Sequence, residues 1–306
     1  MKKNKLENGI ILFQNTPIEF ILRIIKTKLF SVLSKQSMSA FVRGGDIISI
    51  GPIAFGTHEP QVAAAIKHFS DAGYRDFLID IGANIGLTSL QCGSWFKTVF
   101  AFEPNPLCHG ILETNLMMNL EAGSFNVLKF GLGANEQECK LRVPRHNWGG
   151  AHIINDDNSY SEDILLAKDG FSEIDERNYV NLSVNIKSAK KEIKKLFTSL
   201  IEAKMTSGVI KIDVEGFEPL IIKAIAETIT DKIEVCVIFE NLASTVNLDL
   251  LASLFSRPVS IYYLEKTDLK GGNIQKLISL FLKNGYKFSF QKINQSVKTT
   301  DIVFVI

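Results

Sequence analysis

The stretch Phe77-Leu-Ile-Asp-Ile-Gly-Ala-Asn-Ile-Gly86 places a glycine-rich turn directly after a short apolar run that contains one acidic residue. A second apolar run, Val99-Phe-Ala-Phe, ends in Glu103. In a doubly wound α/β sheet, such a turn lets a nucleoside-bearing ligand approach the backbone, and a carboxylate at the tip of the next strand accepts hydrogen bonds from ribose hydroxyls. The sequence therefore predicts an α/β fold that binds a nucleoside cofactor.

Outward from this stretch, short apolar runs alternate with helical patterns, which is typical of parallel strands joined by crossover helices. The link between the last two apolar runs, residues 292–301, is short and polar, which favours an antiparallel connection between them. We predict strands at 77–81, 99–103, 126–130, 210–213, 235–240, 287–291 and 302–306, and helices at 87–96, at 105–120, from Pro219 onward and at 274–283.

The amino-acid composition limits the classes of protein to which the chain can belong. The 306 residues are 46% hydrophobic and 22% charged, as in ordinary globular proteins, and the net charge of +1 argues against a dedicated nucleic-acid binder. The four cysteines have no metal-binding spacing, so we expect reduced thiols in a cytoplasmic protein. No apolar stretch reaches the roughly 18 residues of a transmembrane span.

Two regions lie outside the α/β rhythm of the domain predicted for residues 61–306. Residues 1–60 form an N-terminal extension, whose first 45 residues carry eight Lys and Arg against two Glu. Polar residues recur every three or four positions over 18–34, which predicts an amphipathic helix. Packing on the domain, packing on a second subunit in a homo-oligomer, and peripheral contact with an anionic membrane all remain open for this helix.

The second region, residues 144–182, is polar and loop-like, and we interpret it as a substrate-side insertion. His146 and His152 flank the Trp148-Gly-Gly turn. Either histidine could act as a general base or contact a sugar, and Trp148 could stack on a sugar ring. An exposed loop with incidental histidines explains the same residues. His58 and Glu59, ahead of the first strand, could close over the cofactor or simply begin a helix.

The chemistry of the first turn separates two cofactors. A nicotinamide dinucleotide site uses G-x-G-x-x-G, whereas this chain has Asn84 in place of the middle glycine and Asp80 at the end of the strand. A carboxylate at that point would repel the two phosphates of NAD but suits the ammonium and sulfonium of S-adenosylmethionine. The turn therefore favours S-adenosylmethionine as the cofactor.

Lys211, Asp213 and Glu215 form a second constellation. Alternate residues of an extended strand share one face, and the carboxyl end of such a strand is where open α/β sheets bind ligands. Asp213 or Glu215 could take a proton from a hydroxyl, orient the acceptor or hold a divalent cation, although Asp-x-Glu alone does not define a metal cage. The alternative is a structural ion pair between Lys211 and Asp213, with Glu215 near a helix start.

Four segments together resemble FkbM-type S-adenosylmethionine-dependent methyltransferases: Asp80-Ile-Gly-Ala-Asn-Ile-Gly86, Phe102-Glu-Pro-Asn-Pro106, Asn115 to Asn119, and Ile210-Lys-Ile-Asp-Val-Glu-Gly216. The resemblance covers residues 50–240 and implies a class I methyltransferase fold, with a seven-stranded sheet and an antiparallel last strand. It also implies O-methylation, commonly of sugar hydroxyls or natural-product scaffolds. On this basis the expected cofactor-binding residues are Asp80, Gly82, Ala83, Asn84, Gly86, Glu103, Pro104 and Gly131, where Gly131 could equally be a solvent turn.

We therefore predict an enzyme that methylates a hydroxyl of a saccharide or glycan-type acceptor, with Lys211, Asp213 and Glu215 at the reaction site. Two alternatives remain at this level. One is a nicotinamide-dependent oxidoreductase, and the other is a non-catalytic partner protein that binds the cofactor without turnover.

Overall fold

The chain folds into an α/β architecture with one large and one small sheet. The computed structural model describes residues 16–34, 38–153, 158, 160–169, 175–241, 247–268, 286–293 and 301–306. The helices in these ranges are α1 Pro17–Ser34, α2 Ile50–Phe55, α3 Pro60–Asp71, α4 Leu87–Cys92, α5 Pro106–Asn119, α6 Glu162–Asp169, α7 Ala189–Glu202, α8 Glu218–Thr228 and α9 Leu248–Ala252. Short 3-10 turns lie at Ile47–Ser49, Gly93–Trp95, Trp148–Gly150 and Glu176–Asn178.

Helices and strands alternate from α3 to β3. The strands are β1 Phe77–Ile81, β2 Thr98–Phe102, β3 Phe125–Leu128, β4 Gly131–Gly133, β5 Gln137–Pro144, β6 His152–Ile153, β7 Tyr179–Ser188, β8 Ser207–Ile212, β9 Glu234–Glu240, β10 Ser260–Asp268, β11 Tyr286–Lys292 and β12 Asp301–Val305.

The large sheet has the order β11-β10-β12-β9-β8-β1-β2-β3 among the described strands. Five neighbours, from β3 to β9, run parallel, and β12 runs antiparallel to both β9 and β10. The class I methyltransferase fold with its antiparallel last strand is therefore confirmed. The sheet has eight strands rather than the expected seven, because β11 adds an edge next to β10.

The end of the chain differs from the sequence prediction in its pairing. The strands predicted at 287–291 and 302–306 are present as β11 and β12, but they are not neighbours. Both pair with β10, which the sequence prediction lacked, so the expected antiparallel connection between them was wrong. The helix predicted at 274–283 lies outside the described residues.

Helices cover both faces of the large sheet. Phe77, Ile79 and Ile81 of β1 contribute to the core on the face that α7 and α8 cover. Leu78 points to the opposite face, where α3 packs, and every residue of β1 is buried. A central parallel strand that is buried on both sides explains why the run Phe77–Ile81 is apolar except at Asp80.

A four-stranded sheet of order β4-β7-β5-β6 follows β3 in the chain. Leu132, Leu141 and Ile186 of this small sheet share a core with the large sheet. The loop-like character predicted for 144–182 was wrong in part, because β6, α6 and the beginning of β7 lie there. Within the ranges given above, no helix is both long enough and apolar enough to span a bilayer.

Candidate active site

The turn between β1 and α4 has the backbone geometry that its sequence predicts. Gly82 has a φ of +86°, Asn84 of +51° and Gly86 of +83°, all in the left-handed region. A Cβ atom at Gly82 would lie 1.8 Å from the carbonyl oxygen of Asp213, so only glycine lets these two loops come this close. A Cβ atom at Gly86 would lie 2.6 Å from Cδ1 of Leu112. Packing therefore requires glycine at 82, whereas at Gly86 the left-handed backbone is the main constraint, because the Leu112 side chain can move.

Glu103 follows β2, and its buried carboxylate is held by the backbone on two sides. Oε2 accepts a hydrogen bond from the Asn84 N–H at 2.7 Å, and Oε1 accepts one from the Asn105 N–H at 2.7 Å. Each oxygen retains a second lone pair. Because Glu103 also lines the cavity described below, these lone pairs are available to hydroxyl groups of a ligand.

Burial also changes the protonation of Glu103. It raises the pKa of this carboxyl to about 7, and the two backbone hydrogen bonds, which favour the charged form, offset only part of that effect. Near neutral pH, the carboxyl is therefore poised between its protonated and ionised forms.

Asp80 is completely buried in β1, in register with Lys211 of the adjacent strand β8. Its Oδ2 accepts a hydrogen bond from the Ser89 hydroxyl at 2.7 Å, whereas Oδ1 has no partner among the residues that the structure describes. Burial raises the pKa of Asp80, while the Lys211 ammonium and the Ser89 hydroxyl lower it. A buried carboxylate oxygen without a donor is unfavourable, and the positive charge of Lys211 in the adjacent strand offsets part of this cost.

Lys211 is a buried cation among carboxylates. Its Nζ donates a hydrogen bond to Oδ2 of Asp213 at 3.0 Å and lies 3.8 Å from Oε2 of Glu59. Burial alone would lower the pKa of Lys211, but the charges of Asp213, Glu59 and Asp80 outweigh it and raise the pKa. The ion pair that the sequence offered as a structural alternative is therefore present, and Asp213 nevertheless lines the cavity.

Glu59 belongs to this site although sequence reasoning did not connect it with Lys211. It precedes α3 with a φ of +38°, a rare conformation for a residue other than glycine. Its Oε2 has no hydrogen-bond partner within the described ranges and lies 3.6 Å from Nε2 of His58. Burial lowers the pKa of His58. A strained backbone that holds a carboxylate toward a cavity is typical of functional sites.

Glu215 does not continue the strand face as predicted. Strand β8 ends at Ile212, and Glu215 has a φ of +51°, so the alternation of an extended strand does not apply to it. The residue that stabilises the helix start is Glu218, whose carboxylate accepts hydrogen bonds from the N–H groups of Val214 and Gly216 at 3.2 and 3.0 Å. Glu215 is buried and still lines the cavity.

The three residues predicted as substrate contacts in the turn at 146–152 differ in their position relative to the cavity. Trp148 and His152 line the cavity, whereas His146 does not. The guanidinium carbon of Arg43 lies 4.6 Å from the centroid of the Trp148 ring, so a cation–π contact already occupies part of that ring. His152 is buried, with Nδ1 3.0 Å from the carbonyl oxygen of Gly150.

An N-terminal strap, residues 38–49, runs across the site. The side chain of Asn115 in α5 accepts a hydrogen bond from the Phe41 N–H at 2.7 Å and donates to the Phe41 carbonyl oxygen at 3.0 Å. It also donates to the Ile85 carbonyl oxygen at 2.7 Å, which joins the strap to the glycine-rich turn. The N–H of Ile47 donates to His146. These asparagine contacts explain one of the segments on which the family resemblance rests.

The cavity at the carboxyl ends of β1, β2 and β8 has a volume of about 380 Å³. The predicted site residues on its wall are Gly82, Ala83, Asn84, Glu103, Pro104, Gly131, Trp148, His152, Lys211, Asp213 and Glu215. Asp80, Gly86 and His146 are not on the wall. Sequence reasoning had not placed Glu240 and Asp301 there, and burial raises the pKa of Asp301 to about 6.

The donor groups on this wall indicate what it can bind. Five carboxylates, those of Glu59, Asp213, Glu215, Glu240 and Asp301, share the cavity with Glu103 and one lysine. This charge distribution fits a cation that also carries hydroxyl groups and opposes a dinucleotide with two phosphates. Among the residues that the structure describes, no three His, Cys, Asp or Glu side chains are grouped closely enough to hold a metal ion.

Comparison with known proteins gives a family. Residues 80–288 match the methyltransferase FkbM domain. Methyltransferase sdnD of Sordaria araneosa is 27% identical over 160 residues, which are 49% of this chain and 61% of that relative. The chain thus spans less than two thirds of the length of this curated relative.

Two solved structures with low similarity were also found. The precorrin-6y C5,15-methyltransferase of Geobacter metallireducens has 12% identity and a TM-score of 0.38, with 80% of this chain and 88% of the other covered. An rRNA methylase of Streptococcus thermophilus has 8% identity and a TM-score of 0.36, with 80% and 95% covered. TM-scores this low do not support a comparison of the sites.

Proposed function

The chain belongs to the FkbM methyltransferase family, and on this premise we propose that it transfers a methyl group from S-adenosylmethionine to a hydroxyl of a saccharide or glycan-type acceptor. The observation that carries the cofactor part of the proposal is Glu103. Its buried carboxylate stands at the tip of β2, fixed by two backbone N–H groups and open to the cavity, as recognition of ribose hydroxyls requires.

The other residues of the wall fit the same cofactor. Gly82, Ala83 and Asn84 would border it along the turn after β1, and Pro104 and Gly131 would border its nucleoside. When bound, S-adenosylmethionine supplies a methyl group on a positively charged sulfur, already activated for transfer. The carboxylates of Glu59 and Asp213 would stabilise that positive charge.

Asp213 is the residue that we assign to the acceptor hydroxyl. Its carboxylate faces the cavity while Lys211 holds one of its oxygens at 3.0 Å, so its orientation is fixed before the acceptor binds. In this position it accepts a hydrogen bond from the hydroxyl and then its proton. Glu215, on the loop that Glu218 stabilises, would orient neighbouring hydroxyls of the acceptor.

We infer a saccharide as the methyl acceptor because the cavity wall carries many groups that accept hydrogen bonds. A sugar presents several hydroxyl donors, and the wall offers carboxylates from the loop after β8, the end of β9 and the start of β12, together with His152. Trp148 at the rim offers an aromatic face of the kind that packs against a sugar ring, although Arg43 covers part of it. The N-terminal extension and the insertion at 144–182 would then select the acceptor.

We also place the protein in the cytoplasm as part of this proposal. All four cysteines are free thiols, and three of them are buried, which suits a reducing compartment.

Two variants and a calorimetric titration test the proposal. Purified protein should bind S-adenosylhomocysteine and not NADH, and a chelator should not change the affinity. Glu103→Ala should weaken this binding at least tenfold, because the ribose contact is lost. Asp213→Asn should retain binding and lose transfer of labelled methyl groups to a pool of glycans.

The outcomes separate the alternatives. Binding of NADH but not of S-adenosylhomocysteine would indicate a nicotinamide-dependent oxidoreductase. Binding of S-adenosylhomocysteine without transfer to any hydroxyl acceptor would favour a non-catalytic partner protein. An unfolded Asp213→Asn variant would show that the ion pair with Lys211 is structural, and Glu215→Gln would then be the variant with which to test the chemistry.

A further inference from the structure

Helix α1 presents a continuous apolar face that no part of the chain described by the structure covers. Its 18 residues span about 27 Å. Residues three or four positions apart lie on one side of a helix, and here that side consists of Ile18, Ile21, Leu22, Ile25, Leu29 and Val32. These six side chains are between 47% and 70% exposed. Isolated exposed apolar residues are ordinary, but a whole helix face is a binding surface.

The opposite side of α1 carries Arg23, Thr27 and Ser31 together with two further apolar residues, Phe20 and Ile24, which are 57% and 42% exposed. Lys26 and Lys28 lie at the two borders of the apolar face. The only acidic residue of the helix is Glu19. Over residues 1–45 the sequence carries eight Lys and Arg against two Glu. An apolar face flanked by lysines is the pattern of a helix that lies in the surface of an anionic bilayer.

The apolar surface continues from α1 toward the cavity. Helix α2 contacts α1 and exposes Ile50, Ile53 and Phe55, with Phe55 72% exposed. Ile47, in the turn before α2, is 49% exposed and also lines the cavity. The surface made of α1, Ile47 and α2, which we call the apolar platform, therefore reaches the rim of the active site.

We propose that the apolar platform docks on the surface of an anionic lipid bilayer, with the apolar face of α1 between the headgroups and the flanking Lys26 and Lys28 directed to them. A second copy of this chain is the competing occupant. It would bring Lys26 and Lys28, which lie near the middle of the helix, toward the same two lysines of the other copy without supplying an acidic partner, so charge favours anionic lipid.

Docking in this way would set the cavity rim at the membrane surface. If the proposed function is correct, an acceptor glycan carried on a lipid would reach Asp213 without leaving the bilayer. Docking itself does not depend on the reaction, so its test can succeed or fail independently of any methyl transfer.

Flotation of the full chain with vesicles tests the docking. Vesicles of phosphatidylcholine mixed with phosphatidylserine should carry the protein upward, and vesicles of phosphatidylcholine alone should bind it at least tenfold more weakly. Ile21→Gln/Ile25→Gln should reduce binding to the mixed vesicles at least tenfold, because two apolar contacts are lost while the charge and the helix propensity are kept.

The matched control places the same residues on the opposite side. Thr27→Gln/Ser31→Gln should bind the mixed vesicles as the unchanged protein does. Lys26→Gln/Lys28→Gln should lose the preference for phosphatidylserine. Circular dichroism spectra and thermal unfolding should be equal in all three variants, which verifies that each of them is folded.

Two results would overturn the proposal. The first is absence of the unchanged protein from the floating fraction at low salt. In that case, a molar mass by light scattering that falls in Ile21→Gln/Ile25→Gln would assign the apolar platform to a second copy. The second is equal binding of the apolar-face variant and the control variant, because docking would then not use this face of α1.

Discussion

At the scale of single residues, Gly82 shows how the site constrains its own sequence. Its φ of +86° and the close approach of the Asp213 carbonyl leave no room for a side chain. We expect Gly82→Ala to destabilise the protein by about 3 kcal/mol or more, because both the backbone strain and the steric clash must be relieved. Urea denaturation measures this loss.

Gly110 supplies the matched control, since it lies within α5 and a Cβ atom there meets nothing within 4 Å. Gly110→Ala should leave the stability unchanged or raise it by up to about 1 kcal/mol, because alanine favours the helix. Equal stability of the two variants would show that the contact between the Gly82 turn and Asp213 is looser than described.

The residues of the site could be predicted from the sequence only where they follow a strand closely. Glu103 and Asp213 come directly after buried apolar runs, so their position at the carboxyl edge of the sheet follows from the topology. Glu240 also ends a buried apolar run, β9, and the same rule could have found it. Glu59 precedes α3 and Asp301 begins β12, so their place on the cavity wall depends on tertiary contacts, such as the 3.8 Å between Glu59 and Lys211, which one sequence does not reveal.

At the scale of elements, the side chain of Asn115 joins the N-terminal strap to α5 and to the glycine-rich turn. Asn115 is fully buried and makes hydrogen bonds to Phe41 and Ile85. Asn115→Ala removes these bonds and leaves the buried Ile85 carbonyl without this donor, so we expect a loss of about 2 kcal/mol in stability. The strap should also open more often, and limited proteolysis with trypsin after Arg43 should become faster.

Asn119 provides the comparison on the same helix. Its side chain donates to Ser39 and to the Asn115 carbonyl, in contacts that are partly exposed to solvent. Asn119→Ala should therefore be less destabilising and should accelerate cleavage after Arg43 less. Cleavage at the same rate in both variants would mean that the strap is held by other contacts, such as that between Ile47 and His146.

The elements of the large sheet were predictable because parallel strands are buried on both faces and read as apolar runs. The small sheet was not, since β5 and β7 alternate apolar and polar residues and pair across a long polar segment. Strand β10 was missed for a similar reason. Its sequence, Ser-Ile-Tyr-Tyr-Leu-Glu-Lys-Thr-Asp, is half polar, and both of its partners come later in the chain.

At the scale of the whole molecule, the buried carboxyl groups make stability depend on pH. Burial raises the pKa of Glu103 from 4.5 to about 7 and that of Asp301 from 3.8 to about 6. For each carboxyl, the lower value is that of the unfolded chain. At a pH between the lower and the higher value, the folded protein therefore holds a proton that the unfolded chain has released. Their contribution to the free energy of unfolding is therefore present at low pH and lost as the pH rises through about 6 to 7.

His58 acts in the opposite sense, because burial lowers its pKa, so the two carboxyls must be isolated by substitution. We expect the stability of the unchanged protein relative to Glu103→Gln/Asp301→Asn to fall by on the order of 3 kcal/mol between about pH 5 and about pH 8. Denaturant unfolding of both proteins at each pH measures this difference. A difference that is constant or rises with pH would contradict the assigned burial.

The strand order affects how the protein folds during its synthesis. Strand β12 lies between β9 and β10, although both precede it in the chain, and β1 pairs with the much later β8. Pairings so distant in sequence fold slowly. On the ribosome, β9 and β10 emerge before their common neighbour exists, and each presents an unpaired edge to other nascent chains. The period in which this protein is vulnerable to misassembly therefore lasts until β12 has been synthesised and inserted.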